Sequence, residues 1–187
     1  MKDLIHELIP HAPQMGLYVA PHIPEKKVRN ALHDYARSMQ PEDVIALFDA
    51  TLMGSGKDGA VFAIDRFIFQ NNDLEHAQEV RYEDIVRVDK KRGLLKGAKV
   101  YLEVNRGRAT FDVTLDCSGK PDAMEFLYRF LHEAMLFPIE PRPEPVPEGR
   151  STAAGSDLHA VQQALDTLRA QGLLADLDYR RILDVLK

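Results

Sequence analysis

The stretch Met53–Gly59, MGSGKDG, holds Gly54, Gly56 and Lys57 in the string that cradles phosphates in nucleotide-binding loops. Such a loop needs Gly-x-x-x-x-Gly-Lys-Ser/Thr between a strand and a helix, so that backbone N–H groups and the lysine hold phosphates and a hydroxyl holds Mg²⁺. With Gly56 and Lys57 in register, Thr51 stands at the first glycine and Asp58 at the hydroxyl, where a carboxylate would repel phosphate. The following GAVFAI is strand-like. The stretch therefore reads as a hairpin connection whose glycines allow positive φ, with Lys57 as a candidate contact for an anion. His6 and His11, in HELIPH, invite a zinc reading, but the metalloprotease spacing is His-Glu-x-x-His on one helical face. Here the histidines are five apart with Pro10 between them, so no metal site is expected.

Cys117 would need a histidine base to act as a nucleophile. His132 follows in the next helical stretch, but no local signature joins the two. Asp112 and Asp116 flank Thr114 on one strand face, and alternation accounts for them as a solvated face. No catalytic residue and no cofactor is expected. The most charged stretch is DKKRGLLKGAK, with Lys90, Lys91, Arg92, Lys96 and Lys99 within ten residues and no acid among them. Read as a hairpin loop, it is a candidate patch for anionic lipid or another anionic ligand, with Leu94 and Leu95 at its tip. No aromatic residue interleaves these cations, which weakens a single-stranded nucleic-acid reading.

Composition bounds the possibilities further. The 187 residues are 45% apolar and 28% charged, the balance of an ordinary globular protein. The net charge of -5 argues against nucleic-acid binding by the whole surface. No apolar run approaches the ~20 residues that span a bilayer. The start, MKDLIHELIPHAP, lacks the layout of a secretory signal. A single cysteine rules out an intrachain disulfide framework. Together these predict a cytoplasmic protein, with a peripheral membrane association as the variant.

The positioning elements follow from periodicity. Asp3–Ile9 reads as a short helix, and Pro10, Pro13, Pro21 and Pro24 make residues 10–24 a loop. After Pro24, the stripe Val28, Leu32, Tyr35, Met39 predicts a helix over 25–39. From Val44 the text becomes β-like. VIALFDATL, then AVFAIDRFIFQN with a break near Asp65–Arg66, then Val80–Val88, each read as strand. In KVYLEV, Val100, Leu102 and Val104 share a face. In ATFDVTLD, Ala109, Phe111, Val113 and Leu115 do the same, with a glycine hairpin between the two strands. Met124, Leu127, Phe130, Leu131 and Met135 mark an amphipathic helix after Pro121 and Asp122. Residues 138–156 are proline-rich, then Gly/Ala/Ser-rich, as a linker is. Beyond them lie two helical stretches separated by Gly172. The first carries Leu158, Val161, Leu165 and Leu168, the second Tyr179, Ile182, Leu183 and Leu186. About thirty residues in two helices cannot enclose a core, so these faces must meet another surface.

Strands closed by one amphipathic helix resemble the pleckstrin-homology-like layout. RYEDIVRV resembles the bacterial PH-like and GRAM-type signature, with Tyr82, Asp84, Ile85 and Val88 as the aromatic, acid, isoleucine and valine. GKDGAVFAIDRFIFQN is similar to that family's second and third strands, and the resemblance covers roughly residues 42–136. The tryptophan common in the terminal helix of eukaryotic PH domains is absent. The tail resembles the bacterial short C-terminal domain called SHOCT, through Leu165, Leu168, Gly172, Leu173, Leu174, Asp178 and Tyr179, with Asp176 or Ala175 at the cap. That resemblance implies an interaction module. The expectation is an α+β chain: an N-terminal helical segment (1–41), a PH-like antiparallel barrel or sandwich capped by a helix (42–137), a linker (138–156) and a helical hairpin (157–187). Its expected role is non-enzymatic interaction or oligomerisation. A homo-oligomer or protein partner would be held by Leu158, Val161, Leu165, Leu168, Ile182 and Leu186. The alternative is an anionic-membrane or anionic-ligand binder using Lys57, Lys90, Lys91, Arg92, Lys96 and Lys99.

Overall fold

A computed structural model describes residues 1–93 and 97–137. The chain divides into Met1–Glu140 and Pro141–Lys187, and the described residues all belong to the first unit. The candidate tail residues from Leu158 to Leu186, and Lys96 with Leu94 and Leu95, lie outside them.

The apolar runs between Val44 and Gln70 do not alternate because both faces of their sheet are covered. Strands β1 (Leu17–Val19), β2 (Ala46–Asp49), β3 (Gly59–Phe62), β4 (Arg66–Gln70) and β5 (Gln78–Arg81) form an antiparallel sheet in that order. Phe48 pairs with Ala60, and Ala60 with Phe69; one residue along, Leu47 pairs with Val61, and Val61 with Ile68. Successive side chains point to opposite faces. The face with Phe48, Phe62, Phe67 and Phe69 enters the main core, and the face with Leu47, Val61 and Ile68 enters a smaller core. That second core is closed by helix α2 (Glu25–Asp34) and the turn after it, through Ala31, Tyr35, Ala36 and Met39.

The second sheet, β6 (Ile85–Gly93), β7 (Gly97–Arg106) and β8 (Ala109–Asp116), has one buried face and therefore alternates. In β7, Ala98, Val100, Leu102 and Val104 are buried and the intervening residues are not. Helix α3 (Ala123–Leu136) buries Met124, Leu127, Phe130, Leu131 and Ala134 in the main core. The Phe130 ring stands edge-on to Phe62 at 5.5 Å and to Tyr82 at 5.6 Å, a favoured aromatic arrangement. Helix α1 (Lys2–Leu8) packs beside α3, and Ile5 joins this core, as do Ile9 and Leu17. Residues 1–41 thus form no core of their own.

Several expectations are corrected. The fold is α+β with two antiparallel sheets and a closing helix, but among the described residues no ladder joins the sheets into a closed barrel. The reading of Val80–Val88 as one strand fails at Tyr82–Asp84, a 3₁₀ turn that carries the chain from one sheet to the other. Tyr82 is buried there and donates its hydroxyl to the Ala63 carbonyl at 3.0 Å. The supposed loop 10–24 contains β1. Gly16, at φ +73°, turns the chain so tightly against the Asp49 carbonyl that a Cβ would collide with it. The helix over 25–39 ends at Asp34, since the N–H of Ala36 bonds the Ala31 carbonyl and widens the turn. In β8, residues 109–112 are exposed although the alternation predicts Ala109 and Phe111 inside, because this hairpin outruns the core. The Gly107–Arg108 connection, with φ +71° at Gly107, is the expected tight turn.

Candidate functional site

Among the described residues Asp49 is the one charged side chain as buried as the core, at 1% exposure. It closes β2 and shares its face with Leu47, toward α2. Burying a carboxylate is tolerable only when it is paired and hydrogen-bonded, and the neighbouring elements supply partners. Lys27, from the first turn of α2, reaches Asp49 Oδ2 at 2.5 Å and also donates to the Gly54 carbonyl. Asp49 Oδ1 accepts from the Thr51 N–H at 3.0 Å and its hydroxyl at 2.5 Å. Thr51 Oγ1 in turn accepts the Ser55 N–H at 2.8 Å, and Asn30 donates to the Ser55 carbonyl at 2.7 Å.

The 50–58 connection is therefore the expected hairpin connection between β2 and β3, fastened to α2 at several points. Gly56, at φ +72°, lies against the Lys27 backbone, where a side chain would press. The lysine that organises the loop is Lys27 rather than Lys57. Lys57 is half exposed and stands 3.8 Å from Asp34. The frame holds Leu52 and Met53 out in solvent, at 84% and 93% exposure.

The basic stretch is not a loop along most of its length. Lys90, Lys91 and Arg92 lie on β6 and Lys99 on β7, and alternation divides them between faces. Lys90 and Arg92 fall on the α3 side. Lys90 Nζ lies 2.5 Å from Glu125 and 4.4 Å above the Tyr128 ring, and Arg92 is 3.5 Å from Asp122. Lys91 and Lys99 share the opposite face. Lys91 stands 5.1 Å above Tyr101, and Lys99 is 3.1 Å from Asp116. The hydrogen bond with Asp116 raises the Lys99 pKa, and the carboxylate's charge adds to it. Partial burial pushes Asp116 up, but hydrogen bonds from Ser118 and Lys99 outweigh it and hold the acid below its usual range.

His6 and His11 are not gathered into a ligand set. His6 is exposed on α1, while His11 packs edge-on to Tyr18 and His22 at 5.9 and 5.6 Å. Among the described residues no three His, Cys, Asp or Glu side chains converge as metal ligands. Cys117 is fully buried, and burial, reinforced by Asp116, pushes its thiol up to about 12. Its Sγ faces the Leu115 carbonyl at 4.0 Å, while His132 pairs with Glu133 at 3.6 Å. Asp112 is exposed opposite Glu103 on β7, on the solvated face as expected.

Two clefts remain. One, of about 350 Å³, lies between the β4–β5 connection and β8, and Asn71 bridges it: its side chain donates to the Thr114 carbonyl at 2.9 Å and accepts the Asp116 N–H at 2.8 Å. The other, of about 370 Å³, lies between the end of α2 and strands β4 and β5. It includes Tyr35, which periodicity assigned only to a core stripe. Asp49, Lys27 and Tyr35 were not singled out as site residues. The one available signal was Asp49 itself, the lone acid inside the apolar run VIALFDATL.

Comparisons with protein-family models, with curated proteins and with solved structures return no match. Among the described residues no helix is long and apolar enough to cross a membrane.

Proposed function

We propose that this chain is a non-enzymatic interaction module on a PH-like scaffold, self-associating or binding a protein partner. The order of elements supports the scaffold: two antiparallel sheets in sequence, then one amphipathic helix that fills the core between them. One observation carries the role. The described residues bury two apolar cores, yet Leu52 and Met53 stand in solvent on a loop anchored by a buried ion pair. Pre-organised apolar side chains lose little freedom on docking, which favours a contact surface. The leucine-rich faces of residues 157–187 add to this from the sequence, since two short helices have more apolar surface than they can bury alone.

Sedimentation equilibrium tests the self-association. The full chain should show a mass above one chain, and Leu165→Glu with Leu168→Glu should lower it. An unchanged mass in that variant overturns the assignment of the tail. The reading as an anionic-surface binder has less support, because Lys90, Arg92 and Lys99 each stand beside a carboxylate.

A further inference from the structure

We propose that the free edge of β8, residues 109–113, pairs antiparallel with the same edge of a second copy of this chain, with Phe111 facing Phe111 across a two-fold axis. This rests on the self-association reading and gives it an interface within the described residues.

A sheet edge offers unpaired N–H and C=O groups to any strand that approaches, and proteins usually blunt it. The other edges here are blunted. Strand β1 is three residues long, and Ala12 exchanges backbone hydrogen bonds with Leu17 on its outer side. On β5, Arg106 donates to the Glu79 carbonyl. Strand β6 carries the exposed Arg87, Asp89, Lys90, Lys91 and Arg92. Strand β8 is the exception, and Asn71 shows which of its groups point outward. The Asn71 side chain donates to the Thr114 carbonyl and accepts the Asp116 N–H, as a neighbouring strand would. Pairing with β7 runs from 109 to 116 without a shift, so the backbone groups of Thr110 and Asp112 also point away from β7. They have no hydrogen-bond partner among the described residues.

This edge also complements itself. Residues 109–112 are exposed, and Phe111 keeps 50% of its surface in solvent although it lies on the same face as the buried Leu115. No proline or lysine interrupts residues 109–113, and Asp112 is their one charge. Pairing centred on Asp112 would set two carboxylates opposite each other, which is unfavourable. Pairing centred on Phe111 brings two aromatic rings together at a close, non-hydrogen-bonded position. Thr110 then exchanges backbone bonds with Asp112 of the second copy. The same register sets the second copy's Arg108 opposite Thr114, between Asp112 and Asp116, at the cleft that Glu75 also lines. Arg108 is exposed and has no carboxylate partner among the described residues. The second copy's turn ends there, where Asn71 closes the edge.

The test is oxidative cross-linking of the native full chain carrying Phe111→Cys or Asp112→Cys, scored on non-reducing gels. Cys117 is buried and stays out of the reaction. In the proposed register the two Cα atoms at 111 lie ~4.5 Å apart, within disulfide reach, and those at 112 lie ~7–8 Å apart, beyond it. Phe111→Cys should therefore dimerise at least ~10-fold faster than Asp112→Cys. On the unsubstituted chain, amide exchange at Thr110 and Asp112 should slow several-fold as protein concentration rises, while exchange at Glu42, exposed elsewhere, should not. No cross-link, equal rates in the two cysteine variants, or exchange independent of concentration overturns the proposal. The tail has its own readout. If the parent still sediments above one chain and Leu165→Glu with Leu168→Glu lowers that mass, the tail associates without this edge. A parent that sediments as one chain and gives no selective cross-link removes both interfaces.

Discussion

Lys27 and Lys57 show how little a residue's type says about its role until its neighbours are known. Lys27 reaches into the 50–58 loop to a carboxylate that is 1% exposed, whereas Lys57, within that loop, is half exposed and meets the partly exposed Asp34 at 3.8 Å. Removing one partner of a buried pair strands the other, at a cost of ~3–5 kcal/mol. Asp49→Ala should therefore lower stability by about 3 kcal/mol or more in urea unfolding, counting the Thr51 bonds as well. Lys57→Ala should stay within ~0.5 kcal/mol of the parent, as exposed substitutions do. A large loss from Lys57→Ala would mean that the loop is organised differently. At Cys117 the raised pKa makes thiolate scarce near neutrality, and burial denies access. Native protein should react with a thiol reagent only as fast as it opens, and denatured protein at once.

At the scale of elements, the two sheets differ in what covers them. The stacking of α3 on the first sheet rests on Phe130, set against Phe62 and Tyr82. Phe130→Ala should cost ~3–5 kcal/mol, with the loss visible as a fall in the urea midpoint. The Lys99–Asp116 pair fastens β7 to β8 across a registered position. Asp116 is held below its usual range, so it stabilises the fold above the unfolded carboxylate pKa. That contribution is lost as pH falls through its folded pKa. Asp58 has the opposite sign. Burial, with Asp73's charge, raises it, so the folded state binds the proton more tightly than the unfolded one. Its penalty is relieved at low pH and grows as pH rises through the unfolded and then the folded pKa. Asp116→Asn should flatten the acid limb of a Tm-against-pH profile, and Asp58→Asn should raise Tm mainly above that limb. Identical profiles for the two variants would contradict these environments.

At the scale of the whole molecule, surface left over after core formation is what remains for binding. Leu52 and Met53 contribute almost nothing to the core, so Leu52→Ser with Met53→Ser should leave Tm within a degree or two of the parent. The same double substitution should reduce any partner contact made by this loop. A substantial drop in Tm would instead show that the pair packs within the fold. Much of the architecture was legible in advance, and for a local reason. The periods of two in β7 and near four in α3 follow directly from which side chains must be buried. Gly107 marked its turn because only that backbone conformation fits a two-residue connection here. The strand β1 was hidden among prolines, since three residues are too few to display a period.

The candidate sites were far less legible. The sequence by itself determined the α+β class, the hairpin at 50–58 and the burial of α3, because each depends on neighbours in the chain. Only the tertiary structure decided that Asp49 is paired by Lys27, twenty-two residues away, and that the basic stretch divides between two faces beside carboxylates of α3 and β8. It also brought Tyr35 and Gln70, far apart in the chain, to one cleft. Electrostatic and hydrogen-bond partners are chosen by distance in space. A linear pattern records periodicity, which reports burial, but carries no record of which charge will meet which.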